Sequence, residues 1–203
     1  MSVLYSVPKP LFPITLKGQL ITLQPLDLTN DVPILYSLSN GSPIKSESIS
    51  IEAYDPEDKM WELMYWPRTG NDNFMEEFYR SNYESCHFFT IFDNQTNSHI
   101  GSIGYGYINP KHLSVEIIKV WIALSAQGGG KCTEAVRIMV DHAFQMGYKV
   151  VQWRCLDLHE SSKRIAEKTG FKFDVVLKES LIMKGKSFDV AYFSQRNEAD
   201  INS

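Results

Sequence analysis

The sequence predicts a single α/β domain in which a mixed sheet carries helices on both faces. Apolar residues alternate with polar ones in some segments and recur at three- and four-residue spacing in others. These two kinds of segment, typical of strands and helices, are interleaved along the chain. A length of 203 residues suits one domain with a full hydrophobic core. The hydrophobic share of 43% and the charged share of 22% are those of a globular protein.

The first half of the chain is predicted to be an arm, a strand and then mainly helices. Residues 1–13 are rich in proline and form an N-terminal arm, and residues 15–23 alternate like a strand. The predicted helices cover residues 31–38, 55–66 and 73–83. Asn30 is expected to cap the first of them, because Asn is a favoured N-cap residue. The Ser- and Gly-rich segment 40–50 is expected to be a loop.

The second half of the chain is predicted to alternate strands with helices. The predicted strands cover residues 88–92, 99–108, 114–124, 149–155, 171–183 and 187–194. The predicted helices cover residues 130–146 and 160–168. Gly147 is expected to end the first of these helices, because glycine readily adopts the left-handed C′ conformation. We therefore expect one domain over residues 14–196 and a C-terminal tail over 197–203.

Composition excludes several classes of function. The formal net charge of −4 argues against nucleic-acid binding, which favours a basic face. No apolar run approaches the roughly 20 residues that a membrane-spanning helix needs, and no targeting segment is visible. The three cysteines show no CxxC spacing, so we expect a reduced, cytoplasmic protein without disulfides or structural zinc.

A glycine-rich segment before a helix is the clearest functional motif. Gln127 precedes three consecutive glycines, and the amphipathic helix follows directly. Glycines allow positive φ and a close approach of the backbone to a ligand. The first turn of a helix also offers unpaired N–H groups and the positive end of a dipole. The motif therefore predicts an anion site, usually for phosphate.

Three kinds of phosphate loop can be compared with this motif. A Walker loop would need Gly at position 125 and Ser or Thr at 132, but the chain has Ser125 and Cys132, and a thiol is a poor Mg²⁺ ligand. The dinucleotide fingerprint would need a third Gly where Thr133 stands. The diphosphate loop of acyl-coenzyme A-dependent N-acetyltransferases, Q/R-x-x-G-x-G/A, matches at Gln127 and Gly130.

Segments around the loop resemble the GNAT superfamily of N-acetyltransferases, in particular its RimJ/RimL-like branch. The segments that carry the resemblance are residues 115–122, 133–135, 142–148, 153–155, 160–171 and 184–194. The similarity runs over about residues 14–196. It implies a GNAT fold with a mixed, mostly antiparallel central sheet. It also implies acetyl-CoA as co-substrate without a metal, an amine acceptor as partner, and a monomer or homodimer.

The resemblance also implies which residues bind the coenzyme. The main chain around Val120, Trp121 and Ile122 would pair with the pantetheine arm. The other residues implied in coenzyme binding are Gln127, Gly128, Gly129, Gly130, Lys131, Cys132, Thr133, His159 and Ser162. Two of them depart from the family pattern. Cys132 stands where Gly or Ala is usual and would add a side chain near the phosphates, and His159 stands where Asn is usual.

Two residues are candidates for proton transfer. Glu116, on the strand that enters the site, could act as a base through water, or it could be an edge carboxylate that is solvated or paired with Lys111. Ser162 matches a serine that can protonate the leaving thiolate, or it could bond backbone at a helix N-terminus. Glu134 in the first turn after the loop suits the helix dipole, so we expect a capping role there rather than catalysis.

The predicted function is transfer of an acetyl group from acetyl-CoA to a primary amine. The acceptor could be a peptide N-terminus, or a small amine or amino acid. Trp61, Tyr65 and Trp66 could line its pocket, although aromatic residues at helical spacing usually belong to a core. The alternative is a non-catalytic acyl-CoA-binding regulatory protein, motivated by Cys132 and His159. A nucleotide-binding switch is a third possibility.

Overall fold

An eight-stranded sheet forms the centre of the molecule. The computed structural model describes residues 8–45, 50–64, 72–82 and 84–197. The strands are β1 (Leu16–Lys17), β2 (Ile21–Pro25), β3 (Ile44–Lys45), β4 (Ser50–Ile51), β5 (His87–Asp93), β6 (Ser98–Asn109), β7 (Ser114–Ile122), β8 (Val150–Leu156), β9 (Lys172–Met183) and β10 (Lys186–Arg196). The helices are α1 (Asp31–Ser37), α2 (Pro56–Lys59), α3 (Asp72–Asn82), α4 (Lys131–Gln145) and α5 (Glu160–Lys168).

The strand order of the large sheet is β1-β2-β5-β6-β7-β8-β10-β9, and β3 pairs with β4 separately. Strands β7 and β8 run parallel, and the other neighbours in the described sheet run antiparallel. The parallel pair needs a long crossover, which α4 supplies between the two strands. This architecture confirms the prediction of a mixed, mostly antiparallel sheet in an α/β domain.

The sheet separates two hydrophobic cores. One, the α4-side core, includes Val115 and Ile117 of β7, Val136 and Met139 of α4, and Trp153 of β8. Because side chains of a strand point alternately to opposite faces, the intervening residues of β7 face the other way.

The second core, the α3-side core, lies on the opposite face and includes Leu35 of α1, Tyr79 of α3, and Trp121 of β7. Trp61 is also buried there, and its Nε1 donates to the carbonyl of Ser39 at 3.1 Å. Trp61 is therefore a core residue. This agrees with the prediction that aromatic residues at this spacing belong to a core and do not line an acceptor pocket. Tyr65 and Trp66 lie outside the described residues.

Helix α4 follows from its sequence pattern. Its apolar residues at three- and four-residue spacing are buried: Ala135, Val136, Met139, Val140 and Ala143. The helix begins after Gly130, whose φ of 85° places it in the left-handed region, and it ends before Gly147, whose φ is 99°. The end at Gly147 was predicted from the sequence.

Several local predictions for the first half of the chain are wrong in detail. The single strand predicted over residues 15–23 is two strands, since the chain turns between Lys17 and Ile21. Asn30 makes no side-chain capping bond, because its backbone is helical (φ −95°, ψ −37°) where a capping residue is extended, and its Nδ2 donates to Asp27 Oδ2 at 2.8 Å. The Asp27 carboxylate instead accepts from the N–H of Asn30 at 3.1 Å.

Two further elements of this half differ from prediction. The segment predicted as a loop contains β3 and β4. The helix predicted from residue 55 ends at Lys59, and the Trp61 carbonyl beyond it accepts from the Met64 N–H at 3.4 Å and from Lys184 Nζ at 3.3 Å. No helix among the described residues is long and apolar enough to cross a membrane.

Candidate functional site

Strands β7 and β8 separate after a short stretch of pairing. Within the described residues, their register covers three pairs, which run from Ser114↔Val150 to Glu116↔Gln152. Beyond Glu116, β7 continues to Ile122 and keeps β6 as its neighbour on the other side. An opening therefore begins at Glu116, and beyond that residue the edge of β7 that faces β8 lies outside the register of the two strands.

A bulge shifts the second half of β7 within the sheet. The register changes between Ser102 and Gly104 of β6, opposite the segment from Ile118 to Trp121. Lys119 in this segment has a φ of 52°, an uncommon conformation for a side-chain-bearing residue. Bulges bend a strand and are over-represented next to active sites. The bulge lies beside Val120, Trp121 and Ile122, the residues predicted to bind pantetheine.

The glycine loop lies between the end of β7 and the start of α4. The φ values of Gly128, Gly129 and Gly130 are 85°, 59° and 85°, so all three glycines adopt the left-handed region. A Cβ at Gly128 or Gly129 would meet no atom within 4 Å, so a ligand can approach the backbone there. Gln127 closes the loop by donating from Nε2 to the carbonyl of Ile122 at 3.2 Å.

Consecutive N–H groups in such a conformation, next to a helix N-terminus, form an anion-binding concavity. The exposed backbone of Gly128 and Gly129 is therefore suited to a diphosphate. Thr133 is half-buried in the first turn of α4, beside this concavity.

The side chains of Lys131 and Cys132 are directed away from free solvent. Lys131 Nζ donates to Asp93 Oδ2 at 2.6 Å, and this bond helps to lower the pKa of Asp93 against the opposing effect of burial. Cys132 packs against the α4-side core, and burial raises the pKa of its thiol to about 12. Cys132 was expected to add a side chain near the phosphates, but in the structure its thiol packs against the α4-side core.

Glu134 has a different role from the predicted helix cap. Its carboxylate accepts three backbone hydrogen bonds from the β1–β2 turn, at distances of 3.0, 2.8 and 3.0 Å. The donors are the N–H groups of Gln19, Leu20 and Ile21. The sequence prediction was wrong here because the partners lie more than 110 positions away in the chain.

Glu116 is a buried carboxylate on the face of β7 opposite the α4-side core. Its side chain accepts from Arg154 Nε at 2.8 Å, so neither a solvated carboxylate nor a pair with Lys111 describes it. Burial raises the pKa of Glu116 to about 7, although Arg154 and Lys119 act in the opposite direction. A carboxylate with this pKa can exchange protons near neutral pH.

Arg154 and Lys119 complete a charged cluster around Glu116. The Arg154 guanidinium lies 4.2 Å from the ring centroid of Tyr107, which is 64% exposed. Lys119 Nζ lies 4.7 Å from the ring centroid of Phe78. Burial lowers the pKa of Lys119 to about 8, with Arg154 adding to the effect. Two cations and one carboxylate therefore lie on this face beside the opening.

Ser162 lies on the other face, at the start of α5. Its Oγ accepts from Trp153 Nε1 at 3.1 Å and is buried. The indole takes one acceptor position of this hydroxyl, and Ser162 also hydrogen-bonds to Cys155, which lowers the pKa of that thiol against the larger, raising effect of burial. His159 precedes α5 without a side-chain capping bond, and burial lowers its pKa, so the ring is neutral near pH 7.

Apart from Val120, Trp121 and Ile122 on β7, the predicted site residues lie in three groups. The glycine loop and Thr133 lie at the N-terminus of α4, and Ser162 lies with Trp153 on the face of the sheet that carries α4. Glu116 lies on the opposite face, at the point where the opening begins. A ligand extending from the loop into the opening would reach from one face of the sheet to the other.

Sequence reasoning missed Arg154 and Lys119. The alternation of β8 was a usable signal, because Trp153 and Cys155 pack into the α4-side core and Arg154 between them must face the other way. The register of β7 against β8, which brings Arg154 to Glu116, cannot be deduced from the sequence of either strand alone. The bulge at Lys119 has no local sequence signal that we can identify.

Comparison with solved structures shows the same fold in acetyltransferases. A probable GNAT-family acetyltransferase from Chromobacterium violaceum is 20% identical with a TM-score of 0.83, over 100% of this chain and 95% of that one. RimL, a ribosomal-protein α-N-acetyltransferase in complex with coenzyme A, is 16% identical with a TM-score of 0.76, over 92% and 100%. The microcin self-immunity acetyltransferase MccE, in complex with acetyl-CoA and AMP, is 21% identical with a TM-score of 0.74, over 89% and 94%.

Sequence comparison gives the family. No curated protein sequence matches the chain significantly. A family model described as the GNAT acetyltransferase domain matches residues 45–172, which include β7, the glycine loop, α4, β8 and α5. The match covers well over half of the 203 residues. The chain therefore belongs to the GNAT acetyltransferase family.

Proposed function

We propose that this protein transfers an acetyl group from acetyl-CoA to a primary amine. The observation that carries the proposal is the opening between β7 and β8, which has the glycine loop at one end and Glu116 at the other. Solved relatives contain coenzyme A or acetyl-CoA, which supports this donor. The loop suits it because Gly128 and Gly129 leave their backbone unobstructed.

The donor would lie across the opening. Backbone N–H groups of the loop and of the first turn of α4 would bind the diphosphate, and the edge of β7 around Val120, Trp121 and Ile122 that faces the opening would pair with pantetheine. One N–H of that edge would donate to the thioester carbonyl and stabilise the oxyanion as the amine attacks. Holding the amine and the thioester in this geometry would supply a large part of the rate.

Proton transfer would use the two faces of the sheet. A neutral amine arriving from the side of Glu116 attacks the thioester carbonyl and forms the new N–C bond, and Glu116 accepts, directly or through water, the proton that the nitrogen loses. The C–S bond then breaks, the thiolate takes a proton from Ser162 on the other face, and the proton held by Glu116 returns through water to Ser162. The acceptor would be a peptide N-terminus, or a small amine or amino acid.

Thiol release in the presence of an amine panel tests this function. The panel contains N-terminal peptides, amino acids and small amines, and mass spectrometry identifies the acetylated product. Thiol release with a mass gain of one acetyl group on an amine is the expected result. Coenzyme binding without release from any panel member would contradict it and would point to a non-catalytic acyl-CoA-binding regulator. Failure to bind coenzyme A would overturn the donor assignment too.

A further inference from the structure

The corner of the molecule beside the glycine loop contains a set of bonds that join three elements. The Glu134 carboxylate of α4 accepts from the N–H groups of Gln19, Leu20 and Ile21. Asn94, just after β5, donates from Nδ2 to the carbonyls of Gly18 and Gln19 at 3.0 and 3.1 Å. The turn over residues 18–21 is thereby bonded to two elements that are distant from it in sequence.

The start of α4 is bonded to β5 as well. Lys131, the first residue of the helix, donates to Asp93 at 2.6 Å, and Asp93 immediately precedes Asn94. The first turn of α4 therefore has two side-chain attachments, one to the β1–β2 turn through Glu134 and one to β5 through Lys131. Both attachments lie within four residues of Gly130.

The turn also packs directly against the loop. The Leu20 Cδ1 atom lies 3.7 Å from the position that a Cβ of Gly130 would take, and Leu20 is 41% exposed. A Cβ at Gly18 would come within 2.6 Å of Glu134 Oε2, so the close contact between turn and carboxylate requires glycine there. Three consecutive left-handed glycines lose more conformational entropy on ordering than other residues. Contacts that hold these glycines in one conformation before binding reduce this entropy cost and therefore strengthen binding.

We propose that Glu134 is a positioning residue for the coenzyme diphosphate. By holding the β1–β2 turn against the first turn of α4, it fixes the direction of the N–H groups that the loop and helix present. The three donors also direct the negative charge of Glu134 to the turn and away from the bound diphosphate. Lys131 is held by Asp93, so the backbone supplies the diphosphate contacts. This inference rests on the proposed function, because it requires coenzyme A as ligand.

Glu134→Gln separates positioning from charge. An amide has one acceptor oxygen and places an NH₂ group against backbone N–H donors, so it cannot keep all three bonds. It also removes a negative charge near the diphosphate. If Glu134 acted mainly by repelling phosphate, the substitution would tighten coenzyme binding. If it positions the loop, binding weakens. The two mechanisms thus predict opposite signs.

Calorimetric titration with coenzyme A and with pantetheine, which lacks the diphosphate, tests the proposal. For Glu134→Gln we expect the Kd of coenzyme A to rise about tenfold, as expected for one lost charge-assisted hydrogen bond, with the Kd of pantetheine unchanged. Asn94→Ala removes the second attachment of the turn without changing charge, and a rise in the same direction is expected. Asp141→Asn, an exposed position on the same helix, is the matched charge control and should leave both values unchanged.

Several outcomes would overturn the positioning role. Unchanged or tighter coenzyme A binding by Glu134→Gln would do so, as would an equal loss for coenzyme A and pantetheine. If Glu134→Gln does not fold, an unchanged Kd in Asn94→Ala is the overturning result. Wild-type protein that fails to bind coenzyme A instead overturns the proposed function, so the two failures are distinguishable.

Discussion

The two ends of the β7–β8 opening are built from different chemical groups. At the loop end, the groups available to a ligand are backbone N–H groups of glycines, and the nearby charges of Lys131 and Glu134 are bonded to protein partners. At the other end, the available groups are the side chains around Glu116, with shifted pKa values. Binding at the loop end requires no protein group to gain or lose a proton. At the Glu116 end, the properties of the site depend on which side chains are ionised.

This difference follows from what each end must do under the proposed function. A diphosphate keeps its charge throughout the reaction, so fixed backbone dipoles can bind it without changing state. The amine must change protonation, and a group that accepts its proton needs a pKa near the working pH. We therefore expect substitutions at the loop end to change affinity and substitutions near Glu116 to change the pH dependence.

The largest effect is expected for Gly130→Glu. The new side chain would be forced into left-handed backbone and would place a carboxylate against the diphosphate, with loss of aligned N–H groups. The Kd of coenzyme A should rise by about 10³-fold or more, equivalent to two or more charge-assisted hydrogen bonds. Calorimetric titration measures this value.

Gly185→Glu is the matched control for this substitution. Gly185 has a φ of 74° in the β9–β10 turn, and a Cβ there would meet no atom within 4 Å. The same change of residue thus introduces similar backbone strain and the same charge away from the loop. Equal losses of coenzyme binding in the two variants would show that strain, and not the loop, is responsible.

A smaller effect on rate, but a distinctive one on pH dependence, is expected for Glu116→Gln. Loss of a general base should lower kcat by about 10²-fold. The raised pKa means that Glu116 is protonated below about pH 7 and ionised above it. Its capacity as a base therefore falls tenfold per pH unit below 7. The acceptor amine, with a pKa near 8 to 10, also protonates over this range.

The slope of log kcat/KM against pH tests the assignment. The wild type should show a slope of about 2 below pH 7 and about 1 above it, since two groups and then one must lose protons. Glu116→Gln should keep a slope of about 1 throughout. Glu167→Gln, an exposed carboxylate on α5, serves as the control and should retain the wild-type profile. An unchanged profile in Glu116→Gln would remove Glu116 from the mechanism.

The smallest effect is expected for Ser162→Ala. A thiol has a pKa near 8.5, so the leaving thiolate needs little assistance at neutral pH, and kcat should fall about tenfold. Trp153 Nε1 would lose its acceptor, which should cost about 1–2 kcal/mol of unfolding free energy. Steady-state kinetics and denaturant unfolding measure the two quantities. Ser161→Ala, an exposed neighbour, should change neither, and a wild-type kcat in Ser162→Ala would exclude the acid role.

Local patterns in the sequence were sufficient for the fold class and for the loop. The spacing of apolar residues in α4 predicts its buried face, and Gly147 predicts its end, because both depend on helix geometry alone. The three glycines before α4 predict an anion site from local geometry as well, because they allow positive φ directly before a helix N-terminus. The wrong predictions have different causes: Asn30 bonds to Asp27 three residues earlier, whereas the Glu134 carboxylate accepts from a turn more than 110 positions away.

The tertiary structure alone decided what surrounds the predicted catalytic carboxylate. Glu116 and Arg154 lie 38 positions apart and meet because β7 and β8 are parallel neighbours at this register. Burial then shifts the pKa of Glu116 to about 7, and burial is a property of the packed sheet. The contact between Glu134 and the β1–β2 turn likewise joins residues that are distant in sequence and meet only in the folded protein. The sequence by itself determined which chemical groups are present and that the loop backbone at Gly128 and Gly129 has no side chains. The ionisation of the charged groups and their partners depend on contacts that form only when the sheet is complete.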